Sequence, residues 1–126
     1  MAMTSTPIEY SMGNEVIRSF IDTVKGGVVL DTTGFTEENI QAGHIIIRDV
    51  ATQKTYKPMP VSSGAYESLP GGYEYVGVNI YTTPTDEPLV SVLTIGEVNE
   101  ALVPFSIASI KAAFKAAVPT INWAKD

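Results

Sequence analysis

Cysteine is absent from the 126-residue chain, and that single absence removes disulfide frameworks, thiolate metal centres and cysteine nucleophiles together. Histidine is nearly absent as well: His44 stands alone, and a lone histidine does not make a metal site. Basic residues are scarce, 8 against 14 acidic, so the formal net charge is −6 and the chain as a whole offers no electrostatic footprint for a phosphate backbone. Nucleic acid is therefore not an expected partner. No apolar run reaches the ~18 residues of a membrane helix, and Met1 to Met12 lacks the basic start and apolar stretch of a signal peptide. The expectation is a protein made and kept in a cytoplasm, without a membrane partner. The absence of an Asn-x-Ser/Thr acceptor at Asn14, Asn39, Asn79, Asn99 or Asn122 agrees with that.

What is present is apolar material and β-branched residues. Hydrophobic residues make up 44% and charged residues 17%, too apolar for a disordered chain and sparing enough in charge to leave much uncharged surface to account for. The length is that of one domain with one core.

Residues 1–13 are aperiodic and contain Thr, Ser and Pro, with Ile8 and Tyr10 as bulky anchors, and read as an extended N-terminal arm. Residues 14–104 read as a β-rich domain. Val16 to Val24 has apolar residues at helical spacing, but its β-branched content favours strand. Gly26-Gly27 precedes the short apolar run Val28-Val29-Leu30, and Asp31-Thr32-Thr33-Gly34 is a turn composition. Phe35 to Gln41 predicts one helical turn with Thr36 as N-cap and Glu37 and Glu38 in its first turn. His44 to Val50, with three consecutive isoleucines, predicts a strand covered on both faces. A hairpin through Ala51 to Lys54 leads to Thr55-Tyr56-Lys57, which Pro58 and Pro60 push to a sheet edge.

Val61 to Gly72 reads as a long loop with Tyr66 at its tip. Tyr73 to Tyr81 alternates cleanly, setting Val76, Val78 and Ile80 opposite Tyr75, Gly77, Asn79 and Tyr81. The tyrosine side of this strand is either an exposed binding row or a second buried face. Leu89 to Ile95 predicts its hairpin partner, with a break at Gly96-Glu97-Val98-Asn99. Residues 105–126 read as a C-terminal helix and tail: Ser106 as N-cap, a stripe of Ile107, Ile110, Phe114 and Val118, then Pro119 and a tail holding Trp123. The fold class is mainly β, a small compact β-sandwich or barrel-like domain with an N-terminal arm and one C-terminal α-helix.

Candidates for chemistry are few. His44 with Asp31 or Asp49 could form an acid–base site, yet no spacing singles those carboxylates out. The pairs Glu37/Glu38, Asp86/Glu87 and Glu97/Glu100 lie in turn-like stretches and do not follow the alternation of a calcium loop. Ser62-Ser63-Gly64 lacks the nucleophile elbow of a hydrolase, and neither Gly26-Gly27 nor Gly71-Gly72 opens a helix that would cradle phosphate. The chain is thus expected to be no enzyme, with no cofactor and no metal.

The order of several segments resembles the head decoration (cement) proteins and related head fibre proteins of tailed bacteriophages. Those segments are Lys25-Gly26-Gly27-Val28-Val29-Leu30-Asp31, Ala42-Gly43-His44-Ile45-Ile46-Ile47, Tyr56-Lys57-Pro58-Met59-Pro60-Val61, Leu69-Pro70-Gly71-Gly72 leading into Tyr75-Val76-Gly77-Val78, and Val90 to Asn99 with its Gly96-Glu97-Val98 ending. The likeness spans roughly residues 16–103, and order carries it, not any single motif. It implies a structural virion protein that sits as a homotrimer on the capsid exterior, bound to the major capsid protein, and stabilises the head. On that reading Pro7, Ile8 and Tyr10 of the arm contact the capsid, and Tyr66, Tyr75, Tyr81, Ile110, Phe114 and Trp123 serve an oligomer or partner interface. The alternative is a carbohydrate- or protein-binding β module that uses an exposed tyrosine face.

Overall fold

The three isoleucines of the central strand show how the fold is organised. Successive side chains of a strand point to opposite faces, and Ile45 and Ile47 enter one apolar cluster while Ile46 enters another on the far side of the sheet. All three are fully buried. The computed structural model describes residues 16–24 and 26–124, and the expected arm, residues 1–13, lies outside them.

In chain order the strands are β1 (Ile17–Thr23), β2 (Val28–Val29), β3 (Asn39–Ile40), β4 (Ile45–Asp49), β5 (Tyr56–Pro58), β6 (Val61–Ser62), β7 (Ala65–Tyr66), β8 (Tyr73–Asn79), β9 (Thr83–Pro84), β10 (Leu89–Val90), β11 (Val92–Asn99) and β12 (Ile121–Ala124), with one helix, α1 (Lys111–Ala117). The main sheet runs β1-β11-β8-β4-β5, and β12 adds to β11. β8 pairs with Val92 and Leu93 at the start of β11, and β12 lies parallel to its end, Gly96 to Asn99. One face of the sheet is covered by α1 and the turn before it, through Ile107, Ile110, Phe114 and Val118. The other is covered by the ribbons β2–β10 and β3–β9, whose Val28, Ile40 and Val90 pack on Ile46, Val76 and Val92. The described residues are mainly β with one α-helix, as the composition and patterning suggest, and the ribbons supply the second β layer.

Several local expectations hold. β1 and β2 fall where β-branched residues concentrate, β4 and β5 form the expected hairpin, and β5 with Pro58 lies at the end of the sheet. The Ile107/Ile110/Phe114/Val118 stripe is buried along its whole length.

Others do not. Residues 35–41 form no helical turn, because the carbonyls of Glu37 and Glu38 accept the Thr85 hydroxyl (2.7 Å) and the Thr85 amide (2.9 Å) across the chain. β11 runs unbroken through Gly96-Glu97-Val98-Asn99, since β1 and β12 hold that half from both flanks. The helix begins later than Ser106, whose hydroxyl instead accepts the Ala108 amide in the preceding turn (3.3 Å). The tail is a strand: β12 reaches β11 by a crossover through α1, the connection that parallel pairing requires.

Candidate functional site

A β-bulge decides the fate of the tyrosine face. Across the β4–β8 ladder Ile46 pairs with Gly77 but Ile47 pairs with Tyr75, so Val76 is an extra residue. The phase of the strand flips there. Tyr75 therefore joins Val78 and Ile80 in one core cluster, and Val76 turns to the opposite cluster. The clean alternation read from the sequence does not survive as two faces, and Tyr75 is a core residue that meets Phe114 edge-on with ring centroids 5.3 Å apart. Burial pushes its hydroxyl pKa up.

Tyr66 is likewise buried and is not a loop tip. The loop contains a hairpin, β6–β7, whose two linking residues Ser63 and Gly64 both have positive φ (53° and 78°), as a tight two-residue turn requires. The turn carries Ser63-Gly64 outward and draws Tyr66 inward. Its hydroxyl accepts the Ile45 amide at 3.0 Å, and burial raises its pKa well above the usual phenol range. Among the described residues, Tyr81 is the one sequence-predicted tyrosine that reaches solvent, at 40% exposure.

The other interface candidates also turn inward. Ile110, Phe114 and Trp123 are buried, and Trp123 stacks edge-on against Phe114 at 5.3 Å. They join helix and last strand to the sheet within this chain, so in this fold they present no surface to a second molecule. Pro7, Ile8 and Tyr10 lie outside the described residues.

His44 is fully buried at the mouth of β4, with its ring edge-on to Phe35 (5.4 Å), Tyr66 (5.3 Å) and Phe105 (5.5 Å). Its Nε2 lies 2.9 Å from the Met59 carbonyl oxygen, which can only accept, so Nε2 carries the proton. Among the described residues its Nδ1 has no hydrogen-bond partner. Loss of solvation pushes the pKa down to about 4, against the smaller upward pull of the Met59 bond. The expected acid–base partners are engaged elsewhere. Asp31 accepts the Thr33 amide at 3.1 Å. Asp49 gathers the Thr52 hydroxyl (2.7 Å) and the amides of Thr52 (2.8 Å), Lys54 (3.2 Å) and Thr55 (3.0 Å), which hold its carboxyl far below the usual range. That geometry suits structural anchoring: the aromatic cage fixes a neutral imidazole, and the carboxylate ties the β4–β5 turn.

Of the remaining carboxylate pairs Glu97/Glu100 braces the structure, whereas Glu37/Glu38 and Asp86/Glu87 are exposed. Glu100 meets Lys111 at 2.6 Å, and Glu97 faces Arg18 at 3.6 Å while accepting from Asn122 at 2.9 Å. No group of three or more His, Cys, Asp or Glu side chains able to hold a metal occurs among the described residues. No helix of the described residues is long and apolar enough to cross a membrane.

Comparison with protein-family models, curated proteins and solved structures found no match. The molecule's own surface is then the guide. Large apolar side chains stand in solvent on three strands: Ile21 of β1 at 75%, Val29 of β2 at 68% and Leu89 of β10 at 64% exposure. Ile21 is the extra residue of a bulge, since Phe20 pairs with Gly96 and Asp22 with Ile95. Val29 and Leu89 are direct cross-strand partners on the β2–β10 ribbon. Sequence reading missed this pair, although a continuous Val28-Val29-Leu30 run must turn at least one side chain away from a one-sided core. Beside the ribbon two open depressions meet at Phe35, one of about 140 Å³ towards Lys57 and Pro58, the other of about 600 Å³ towards Glu38 and Asp86.

Proposed function

We propose that the chain is a non-catalytic architectural protein that works by binding other protein, and that the surface it covers is the exterior of a tailed-phage head, as the resemblance in segment order implies. The observation that supports binding is the outward display of Ile21, Val29 and Leu89 on surface strands, in a molecule whose histidine and central tyrosines are committed to its own core. Solvent-facing strand positions of this kind are ordinarily polar, and apolar ones gain free energy when a partner covers them.

A cement role asks for no reactive group. It stabilises by binding the assembled lattice and not its dissociated subunits, so the equilibrium shifts by mass action over many copies. A homotrimer adds avidity when its spacing matches that of the major capsid protein. The test is co-sedimentation of the purified protein with heads assembled from the major capsid protein of the phage that encodes it, alongside its solution mass by light scattering. Saturable binding with three times the chain mass is the expected result. Heads that sediment without the protein would refute the capsid assignment.

A further inference from the structure

The β2–β10 ribbon has two apolar faces, and the fold uses one. Val28 and Val90 turn inward against Ile46 and Val92, whereas Val29 and Leu89, which pair with each other, stand 68% and 64% exposed. Cross-strand partners have Cβ atoms about 5 Å apart, so these two side chains form one continuous apolar spot. The ladder bond from the Leu30 amide to the Pro88 carbonyl (2.9 Å) extends the ribbon by one step and brings Asp31 and Glu87 to the same end. Asp86 lies in the adjoining turn, where the Glu87 amide bonds the Pro84 carbonyl (3.1 Å). All three acids are exposed. Lys57, beside Asp31 in the neighbouring depression, is the cation nearest to them in that lining, and it leans over the Tyr73 ring at 5.1 Å.

We infer that the Val29/Leu89 spot with its acidic end is the docking surface of this protein, and that it takes a partner protein whose surface offers an apolar recess bordered by Lys or Arg. The inference rests on the architectural reading above and names the face and the chemistry of the partner. Charge complementarity selects the occupant. A second copy would bring the same acidic end and another chain of charge −6 against the spot, so self-association there is opposed by the field that attracts a basic rim. The apolar pair supplies affinity and the acids supply orientation and salt dependence.

The test uses the full chain and heads of the encoding phage. A Val29→Thr/Leu89→Thr variant removes the apolar spot while Thr keeps the strand preference of position 29. Both side chains are exposed, so its urea midpoint should match the wild type. The variant is expected to bind heads about tenfold or more weakly, the effect of uncovering two apolar side chains. Wild-type binding should weaken as salt rises from 50 to 500 mM and the Debye length shrinks from about 14 Å to about 4 Å, and Asp31→Asn/Glu87→Gln should flatten that dependence. Leu102→Thr, at an exposed apolar position elsewhere on the surface, should leave affinity unchanged. Equal binding by wild type and the ribbon variant would overturn the docking surface while leaving the capsid reading standing. Failure of the wild type to bind heads at all would overturn both. Self-association of the free protein that the ribbon variant abolishes, seen by sedimentation velocity, would assign the spot to a second copy and overturn the choice of partner.

Discussion

The hydroxyl of Tyr66 accepts the backbone amide of Ile45 at 3.0 Å, so a side chain of the β6–β7 hairpin caps the first residue of the central strand. Both groups are buried, and this bond stitches a segment that sequence reads as loop onto the core. Tyr66→Phe keeps the ring and its edge contacts with His44 and Phe105 but orphans the Ile45 amide. The variant should lose about 1–3 kcal/mol of stability, the cost of an unsatisfied buried donor. Urea unfolding monitored by fluorescence checks it; an unchanged midpoint would show that water replaces the bond.

His44 makes the fold acid-sensitive in a defined window. Its folded pKa of about 4 lies below its ordinary 6.5, so the unfolded chain binds the proton more readily. Stability is complete above about pH 6.5 and falls as pH drops towards 4, by about 3 kcal/mol from this group alone. His44→Gln, which retains a donor for the Met59 carbonyl, should flatten the profile between pH 6.5 and 4. Urea midpoints measured across that range, for both proteins, decide the point.

Gly77 admits no side chain. A Cβ there would overlap the Leu93 carbonyl oxygen, because β8 and β11 draw together beside the Val76 bulge. Gly77→Ala should cost about 3 kcal/mol or more by forcing the strands apart. Loss of the sharp thermal transition, or a clear fall in its midpoint, is the expected calorimetric result. A variant that melts like the wild type would mean that the ladder gives way without penalty.

Asp49 holds the β4–β5 turn through the amides of Thr52, Lys54 and Thr55. These bonds keep its carboxyl ionised far below the ordinary range, so their contribution persists at moderately acid pH and is lost only under strong acid. Asp49→Ala should speed hydrogen exchange at those three amides while leaving Ile45, Ile46 and Ile47 protected. Exchange measured by NMR distinguishes this local loosening from global destabilisation.

The arrangement of β-branched residues, prolines and turn formers determined the mainly β class, the positions of β1, β4, β5 and β8, and the buried stripe before and within α1. Those features depend on local preference and periodicity, which neighbouring residues set. The tertiary structure alone decided the rest. Thr85 bonds to Glu37 and Glu38 keep residues 35–41 extended, although the local sequence suits a helical turn. β12 exists because β11 offers its flank to a segment some twenty residues on, with Gly96 paired to Ile121. One extra residue, Val76, set Tyr75 in the core, and the pairing of Leu89 with Val29 left an apolar spot in water. A bulge and a cross-strand register are properties of two chain segments held together, and local periodicity reports on only one of them.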